Sequence, residues 1–504
     1  MDINQFDWAA KWAVYAPDRI AFAESETQRT LSFGQLHRLG NRLAGHLNRA
    51  YGIERGDRIA ILAENCLEYL LLFVAAQKTG AILVPLNYRL ASAEIDFLLD
   101  NAAPRWLVVE AKFRDRAAAT TAWARIPHHS SIREVADYCT PDTDRPEDQH
   151  FENAAIQADD PLFILYTSGT TGFPKGALYT HRMLFWNSIN TALSLIVNTE
   201  SRTVNCMPPF HTGGWNVLTT PFFHHGGFSC LMKSFDPELL LALIGRERVS
   251  ILMAVPTMLK LMADSPAFAT ADLSSLHYII VGGEALPLPL IERWHARGVP
   301  IRQGFGMTEV GPNLTSLHQE DAVRKMGSIG RPNFYIELQI VDERGEVCPP
   351  SQAGELWLRG PVVTPGYWQN TAATQAAFHE GWFRTGDRVR RDEEGYLFVV
   401  DRIKNMYISG GENVYPAEVE RVLLAHPSIG AAVEVGVPDS QWGEVGRAFL
   451  VLQAPVSPDD VITYCRSRLA RFKVPKTVVL LDALPQNDTG KVDRRALRER
   501  GKTP

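Results

Sequence analysis

The sequence predicts an α/β protein, with a large N-terminal domain of mixed or parallel sheets and a small separate α+β domain at the C-terminus. Three observations carry that reading. Apolar runs at 162–166, 251–255 and 278–281 each end at a turn rich in Gly, Pro or Thr. Helix-like stretches follow such turns, one after Lys175 and another beginning at Pro256. This alternation is the rhythm of a parallel sheet, whose ligands bind at the carboxyl ends of the strands. Toward the C-terminus the pattern changes. Short strand-like runs at 431–437 and 447–452 precede Ser457, Pro458, Asp459 and Asp460, which read as an N-cap, a first-turn proline and first-turn acids. The boundary is placed after the strand-like GYLFVV, giving domains of 1–401 and 402–504. The polar stretch 140–149 reads as an exposed loop.

Composition narrows the function classes. The chain has 504 residues, 45% hydrophobic and 21% charged, as in ordinary globular proteins. A net charge of −6 is small for that length and argues against nucleic acid as a partner. Six cysteines lie far apart with no CxxC pair, which suits reduced thiols in a cytoplasmic protein better than a disulfide scaffold or zinc site. No export signal is read at the acidic, polar N-terminus. The most apolar stretch, 69–76, is cut off by Gln77 and Lys78, so no stable membrane insertion is expected. Oligomeric state leaves no readable mark, and a homodimer is compatible with the sequence.

The strongest single motif is YTSGTTGFPKG at 166–176. A strand leads into small hydroxyl residues and glycines, then a lysine, then a predicted helix. Glycines let the backbone turn its N–H groups inward as an anion nest, and the hydroxyls add donors for phosphate oxygens. The spacing is not that of a Walker A loop, because only two residues separate Gly169 from Gly172 and Gly176 follows Lys175.

Further signatures follow in order. They are PPFHTGG from Pro208, VGGEAL from Val281, GFGMTEVG from Gly304, GELWLRG from Gly354, FRTGD ending at Asp387, DRIKNMYISGGENVYPAEVE from Asp401, and QNDTGK ending at Lys491. Across 166–491 this set resembles the adenylate-forming (AMP-binding) superfamily of acyl-CoA synthetases, peptide-synthetase adenylation domains and luciferases. Within it the chain looks like the acyl-CoA synthetase or fatty acid–CoA ligase branch. The N-terminal part carries no comparable motif, but its layout is similar.

The resemblance implies an ATP- and Mg²⁺-dependent acid–CoA ligase. Its partners would be a small-molecule carboxylic acid, ATP and coenzyme A. By the same resemblance Thr167, Ser168, Gly169, Thr170, Thr171, Gly172 and Lys175 would hold the β- and γ-phosphates. Glu309 and Thr167 match the family's magnesium ligands, and one carboxylate plus phosphates is what Mg²⁺ prefers. Gly283, Glu284 and Ala285, with Phe305 and Gly306, match the segments around adenine, where glycines let a flat base approach the backbone. Thr308 would contact the α-phosphate, Asp387 the ribose hydroxyls, and Arg402 the ribose and phosphate. Taken alone, Asp387 would read as a turn residue and Arg402 as a surface ion pair; the order of motifs gives them function.

Lys491 is implied as the catalytic residue of the first step. Substrate carboxylate and α-phosphate are both anions, so a positioned cation between them lowers the barrier. Lys491→Ala should cost roughly a hundred- to a thousandfold in adenylation, by analogy with losing one preorganised donor. The residue pair before its Thr-Gly turn departs from the usual family pattern. For the second step, the resemblance implies a mobile C-terminal domain that rotates about Lys404, bringing the turn of Ser409, Gly410, Gly411 and Glu412 to the active site to line the thiol path. Trp442, Gly443 and Glu444 resemble a segment on the thiol side, although a lone Trp there more often packs.

For the acid, His211 matches the histidine that caps the acyl pocket near the carboxylate. Trp215 stands where long-chain fatty acyl-CoA synthetases carry a tunnel-gating tryptophan, and the neighbouring Gly213, Gly214, Gly282 and Gly304 leave room for an apolar chain, though glycines suit a flat aromatic acid as well. A medium- or long-chain fatty acid is the first expectation and a cinnamate- or benzoate-type acid the second. Other classes fare less well. No carrier domain is seen, no insertion of the acyl-AMP ligase kind stands between the large and small domains' motifs, and the GxSxG elbow of a serine hydrolase is absent. Luciferase-type chemistry is poorly excluded by motif. A non-catalytic nucleotide binder would be expected to lose Lys491 or Glu309.

Overall fold

The computed structural model describes residues 7–140, 150–152, 155–167, 173–282, 288–402, 406–485 and 492–500. A six-stranded sheet runs in the order His128–Ser131, Trp106–Val109, Arg58–Leu62, Ile82–Pro85, Pro161–Thr167, Lys175–Thr180. Its first five strands are parallel and the last is antiparallel. The sequences IAIL, ILVP and WLVV are buried throughout, the continuous apolar runs of strands covered on both faces.

A second sheet starts with the parallel strands Ile251–Ala254, Tyr278–Val281 and Ile301–Met307, then turns antiparallel through Gly311–Ser316 and Arg331–Pro332. A third joins Ile20–Glu24 to Phe228–Leu231 and Arg202–Asn205 in parallel. A fourth, antiparallel, is built on Glu337–Val341, Ala353–Arg359, Trp382–Arg391 and Leu397–Arg402. The apolar stretch 69–76 lies in the helix Leu67–Thr79, every residue of which is buried. Its one ammonium, Lys78 Nζ, is 2.6 Å from Asp7 Oδ2. Among the described residues no helix is long and apolar enough to cross a membrane.

One expected helix starts later than predicted. Residues 175–180 form a strand that pairs antiparallel with Pro161–Thr167, with Thr167 opposite Lys175. The KGALYT sequence favours a half-buried hairpin arm, and the helix His181–Leu195 begins only where the Thr180 side chain accepts from the Met183 amide. The helix Pro256–Asp264 begins where expected.

The C-terminal sheet contains Tyr407–Ser409, Glu412–Val414, Ile429–Asp439, Gly443–Leu452 and Thr477–Leu480. The predicted runs at 431–437 and 447–452 are the centres of its two long strands. Ser457 caps the helix Pro458–Arg466 by accepting from the Asp460 amide. Ser409 pairs with Glu412 across a two-residue hairpin whose central residues, Gly410 and Gly411, have φ of 58° and 82°. Positive φ at both positions is the mark of a type I′ turn, which favours glycine. The proposed boundary at 401/402 falls within the strand Leu397–Arg402. Most of the predicted loop at 140–149 lies outside the described residues.

Candidate active site

A cavity of about 570 Å³ opens at the ends of the strands Pro161–Thr167 and Ile301–Met307 and is closed from the other side by the C-terminal sheet. Thr167 and Lys175 face it from the two arms of their hairpin, with the Thr167 hydroxyl 3.4 Å from the Lys175 carbonyl. The Lys175 ammonium lies 5.3 Å from the centre of the Tyr367 ring. The Tyr367 hydroxyl donates to Glu309 Oε1 at 3.0 Å. Burial, then the neighbouring Glu309 carboxylate, pushes the Tyr367 hydroxyl far above its ordinary pKa, so it stays a donor.

Glu309 is only 7% exposed and sits in the tight turn Thr308–Val310 that ends the strand Ile301–Met307. Its carbonyl accepts from the Thr364 amide at 2.7 Å, which ties the turn to the segment bearing Tyr367. Phe305, Gly306 and Thr308 line the same wall. A Cβ at Gly306 would stand 2.2 Å from the Pro312 carbonyl oxygen, so glycine here is required by the neighbouring strand.

Asp387 lies on the strand Trp382–Arg391, is 4% exposed and faces the cavity, with its amide donating to Thr385 Oγ1 at 3.1 Å. Beside it Glu355 accepts from the Gly386 amide at 3.1 Å and from Arg384 at 3.1 Å, which fixes the turn that presents Asp387. Asp387 pairs with Arg402 across the strands, so both positions meet at one place in the fourth sheet.

Two segments distant in sequence meet at His211. Its Nε2 stands 2.8 Å from Glu412 Oε2, and Arg89 forms an ion pair with the other Glu412 oxygen. Glu412 is the residue just after the Gly410–Gly411 turn, so that hairpin delivers it into the cavity. Burial raises the Glu412 pKa, but His211 and Arg89 outweigh it and hold the carboxyl below its usual range. Trp442 packs on the same turn, its carbonyl accepting from the Gly410 amide at 2.9 Å.

Trp215 requires a correction. It does not reach the cavity: it is 2% exposed and packs among Tyr69, Phe73 and Phe163, with its indole N–H donating to the Pro209 carbonyl at 2.7 Å. The irregular turn Gly213–Val217 carries the indole into the core. Nor do Gly213, Gly282 or Gly304 line this cavity; Gly282 and Gly304 face each other, a Cβ on the first lying 3.5 Å from the carbonyl oxygen of the second. Ser168, Gly169, Thr170, Thr171, Gly172, Gly283, Glu284, Ala285, Lys404 and Lys491 lie outside the described residues. Sequence reasoning passed over Tyr367 and Arg89, which no motif flags, and gave Glu355 no role although it lies in GELWLRG; their partners Glu309, Glu412 and the Gly386 amide reveal them in three dimensions.

A lysine-bearing antiparallel strand pair, an acidic turn on the same cavity and a small sheet closing over the cleft fit an adenylate-forming enzyme. The chain belongs to the AMP-binding enzyme family: the AMP-binding enzyme model matches residues 9–368, and the model of the family's C-terminal domain matches 418–491. It is 37% identical to a feruloyl-CoA synthase of Amycolatopsis sp over 98% of both chains. It is also 37% identical to a long-chain-fatty-acid–CoA ligase of Mycobacterium tuberculosis, over 97% of this chain and 96% of the other. An indoleacetate–CoA ligase of Aromatoleum aromaticum is 38% identical over 98% of this chain and 97% of its own. Among solved structures, an o-succinylbenzoate CoA synthetase double mutant from Bacillus subtilis, bound to the product analogue OSB-NCoA, superposes with a TM-score of 0.87, 33% identity and 98% of each chain covered. The same enzyme in complex with ATP and magnesium ion gives 0.72 at 33% identity, over 98% of each chain. The chain is an AMP-forming acid–CoA ligase that uses ATP, Mg²⁺ and coenzyme A.

Proposed function

We propose that this ligase activates an aromatic acid and that the structure holds the domain arrangement of the thioester-forming step. The position of Trp215 carries the first part. Trp215 packs among Tyr69, Phe73 and Phe163 and does not line this cavity, so the fatty-acid expectation loses its main support. The feruloyl and indoleacetate relatives carry aromatic acids in their names. A fatty acid remains the second reading, favoured by the long-chain relative.

In the first step the acid's carboxylate oxygen attacks the α-phosphorus of ATP, and the bond to pyrophosphate breaks. We assign Thr167, Lys175 and the glycine-rich loop at 168–172 to the β- and γ-phosphates, Thr308 to the α-phosphate, and Asp387 with Arg402 to the ribose. The buried carboxylate of Glu309, on the same cavity as Thr167, would hold a Mg²⁺, which takes one carboxylate together with phosphate oxygens. Bound there, Mg²⁺ supplies charge neutralisation to the phosphates. Lys491 would bring its ammonium between the two reacting anions.

In the second step the thiol sulfur attacks the acyl carbon and AMP leaves. This requires Lys491 withdrawn and Glu412 in the cleft, with 402–504 turning about Lys404 as one mobile unit. The contact of Glu412 with His211 and the higher TM-score to the OSB-NCoA complex than to the ATP complex support that arrangement. We place the enzyme in the cytoplasm on its free cysteines.

The test is pyrophosphate release and CoA-thioester formation over a panel of cinnamates, aryl acetates, benzoates and fatty acids. An aromatic acid should give the highest kcat/KM. A fatty acid in first place would overturn the acid assignment, and pyrophosphate release without thioester would overturn the CoA step.

A further inference from the structure

The helices Ser92–Ala102 and Pro416–Leu424 approach each other across the seam between the N-terminal sheets and the C-terminal sheet. Each offers a carboxylate and a partner for aromatic stacking three residues later: Glu94 and Phe97 on one, Glu418 and Arg421 on the other. Residues three apart share a helix face, so each pair presents one surface.

Two side chains fill the gap. Lys473 Nζ lies 2.8 Å from Glu94 Oε1 and 2.7 Å from Glu418 Oε1, and only 6% of its side chain is exposed. Burial alone would lower the Lys473 pKa; Glu418 and Glu94 outweigh it and hold the ammonium above its usual value. Phe173 sits between the other two partners, its ring 5.2 Å from that of Phe97 and 3.8 Å from the Arg421 guanidinium carbon. Phe173 directly follows the glycine-rich loop and precedes Pro174 and Lys175. Phe173, the residue that follows the loop assigned above to phosphate, is therefore held between the large and the small unit.

We propose that Glu94 and Arg421, acting through Lys473 and Phe173, are positioning residues for the thioester-forming step, latching the small unit where Glu412 meets His211. The proposal rests on the two-step reading above. Glu94 serves the large unit as well, since its Oε2 accepts from the Ala91 amide at 3.0 Å and stiffens the start of its helix. That bond leaves Oε1 aimed at Lys473. Desolvation offsets much of what a buried ion pair gains, but breaking it from one side leaves an uncompensated charge and is costly. The cation over Phe173 adds a second point of attachment, so the unit is fixed against rotation as well as separation.

The experiment compares wild type with Glu94→Gln, Arg421→Gln and Arg421→Lys in separated half-reactions. Pyrophosphate release without CoA reports the first step, and thioester formation on adding CoA to preformed acyl-adenylate reports the second. Both Gln variants should release pyrophosphate at the wild-type rate and form thioester about tenfold more slowly. Arg421→Lys, which keeps a cation over the ring, should recover part of that loss. Equal slowing of both steps, or of neither, overturns the proposal. A second readout does not depend on CoA chemistry: spin labels at Arg133→Cys and Asp459→Cys report the distance between the two units. The Gln variants should broaden and shift that distribution. If wild type releases pyrophosphate but forms no thioester, the CoA step fails while the labels still decide the latch; an unchanged distribution in the variants overturns it.

Discussion

The hydroxyl of Tyr367 and the carboxylate of Glu309 share a hydrogen bond of 3.0 Å in a cavity wall where the acid is 7% exposed. A buried carboxylate assigned to a cation needs its free lone pairs oriented, and this donor does so. Tyr367→Phe should raise the Mg²⁺ concentration needed for half-maximal pyrophosphate release roughly ten- to a hundredfold, the usual cost of losing a partner behind a metal ligand. The assay is Mg²⁺ titration at fixed ATP. An unchanged midpoint would remove Tyr367 from the phosphate-handling machinery.

Trp215 belongs to the core, so its substitution should act on stability and leave choice of acid alone. Trp215→Ala is expected to cost about 3–5 kcal/mol, as for other large aromatic truncations. Trp215→Phe keeps most of the packing with Phe73 and Phe163 and should keep the wild-type ranking of acids. A changed ranking in the Phe variant would reinstate the gate.

Glu434 is buried in the C-terminal sheet, where its Oε1 and the Tyr407 hydroxyl would lie 2.1 and 2.4 Å from a Cβ on Gly446. Burial, reinforced by Glu420 and Glu418 and opposed by Tyr407 and Arg494, raises its pKa well above the ordinary 4.5. A raised folded-state pKa means this carboxyl favours the fold fully below the ordinary value and loses that contribution as pH rises through the raised one. Melting curves of wild type and Glu434→Gln should therefore converge in acid and separate toward alkaline pH, the variant standing higher. Parallel curves at all pH values would show that Glu434 is already paired and charged.

Much of the site was legible because its chemistry sits in short, ordered strings. Thr167 and Lys175 are near neighbours in sequence while Glu309 and Asp387 lie far downstream, yet all four face one cavity. Strand positions came through where burial makes the apolar run continuous, as at Tyr278–Val281. The strand at Lys175–Thr180 was missed because it is an edge arm whose partner, not its own composition, makes it a strand. Trp215 misled for the opposite reason: a motif places a residue on the chain, but the irregular turn Gly213–Val217 decides which way its side chain faces. Contacts such as Arg89 with Glu412 span 323 positions and have no local signal at all.

Lys473 keeps Glu418 on its own unit as well as Glu94 on the other. In the proposed rotation the ammonium would exchange one carboxylate for water and keep the other, so it would never be stranded bare in an apolar surface. The clasp carries its own counter-ion, which would let it grip firmly and still let go once per product made.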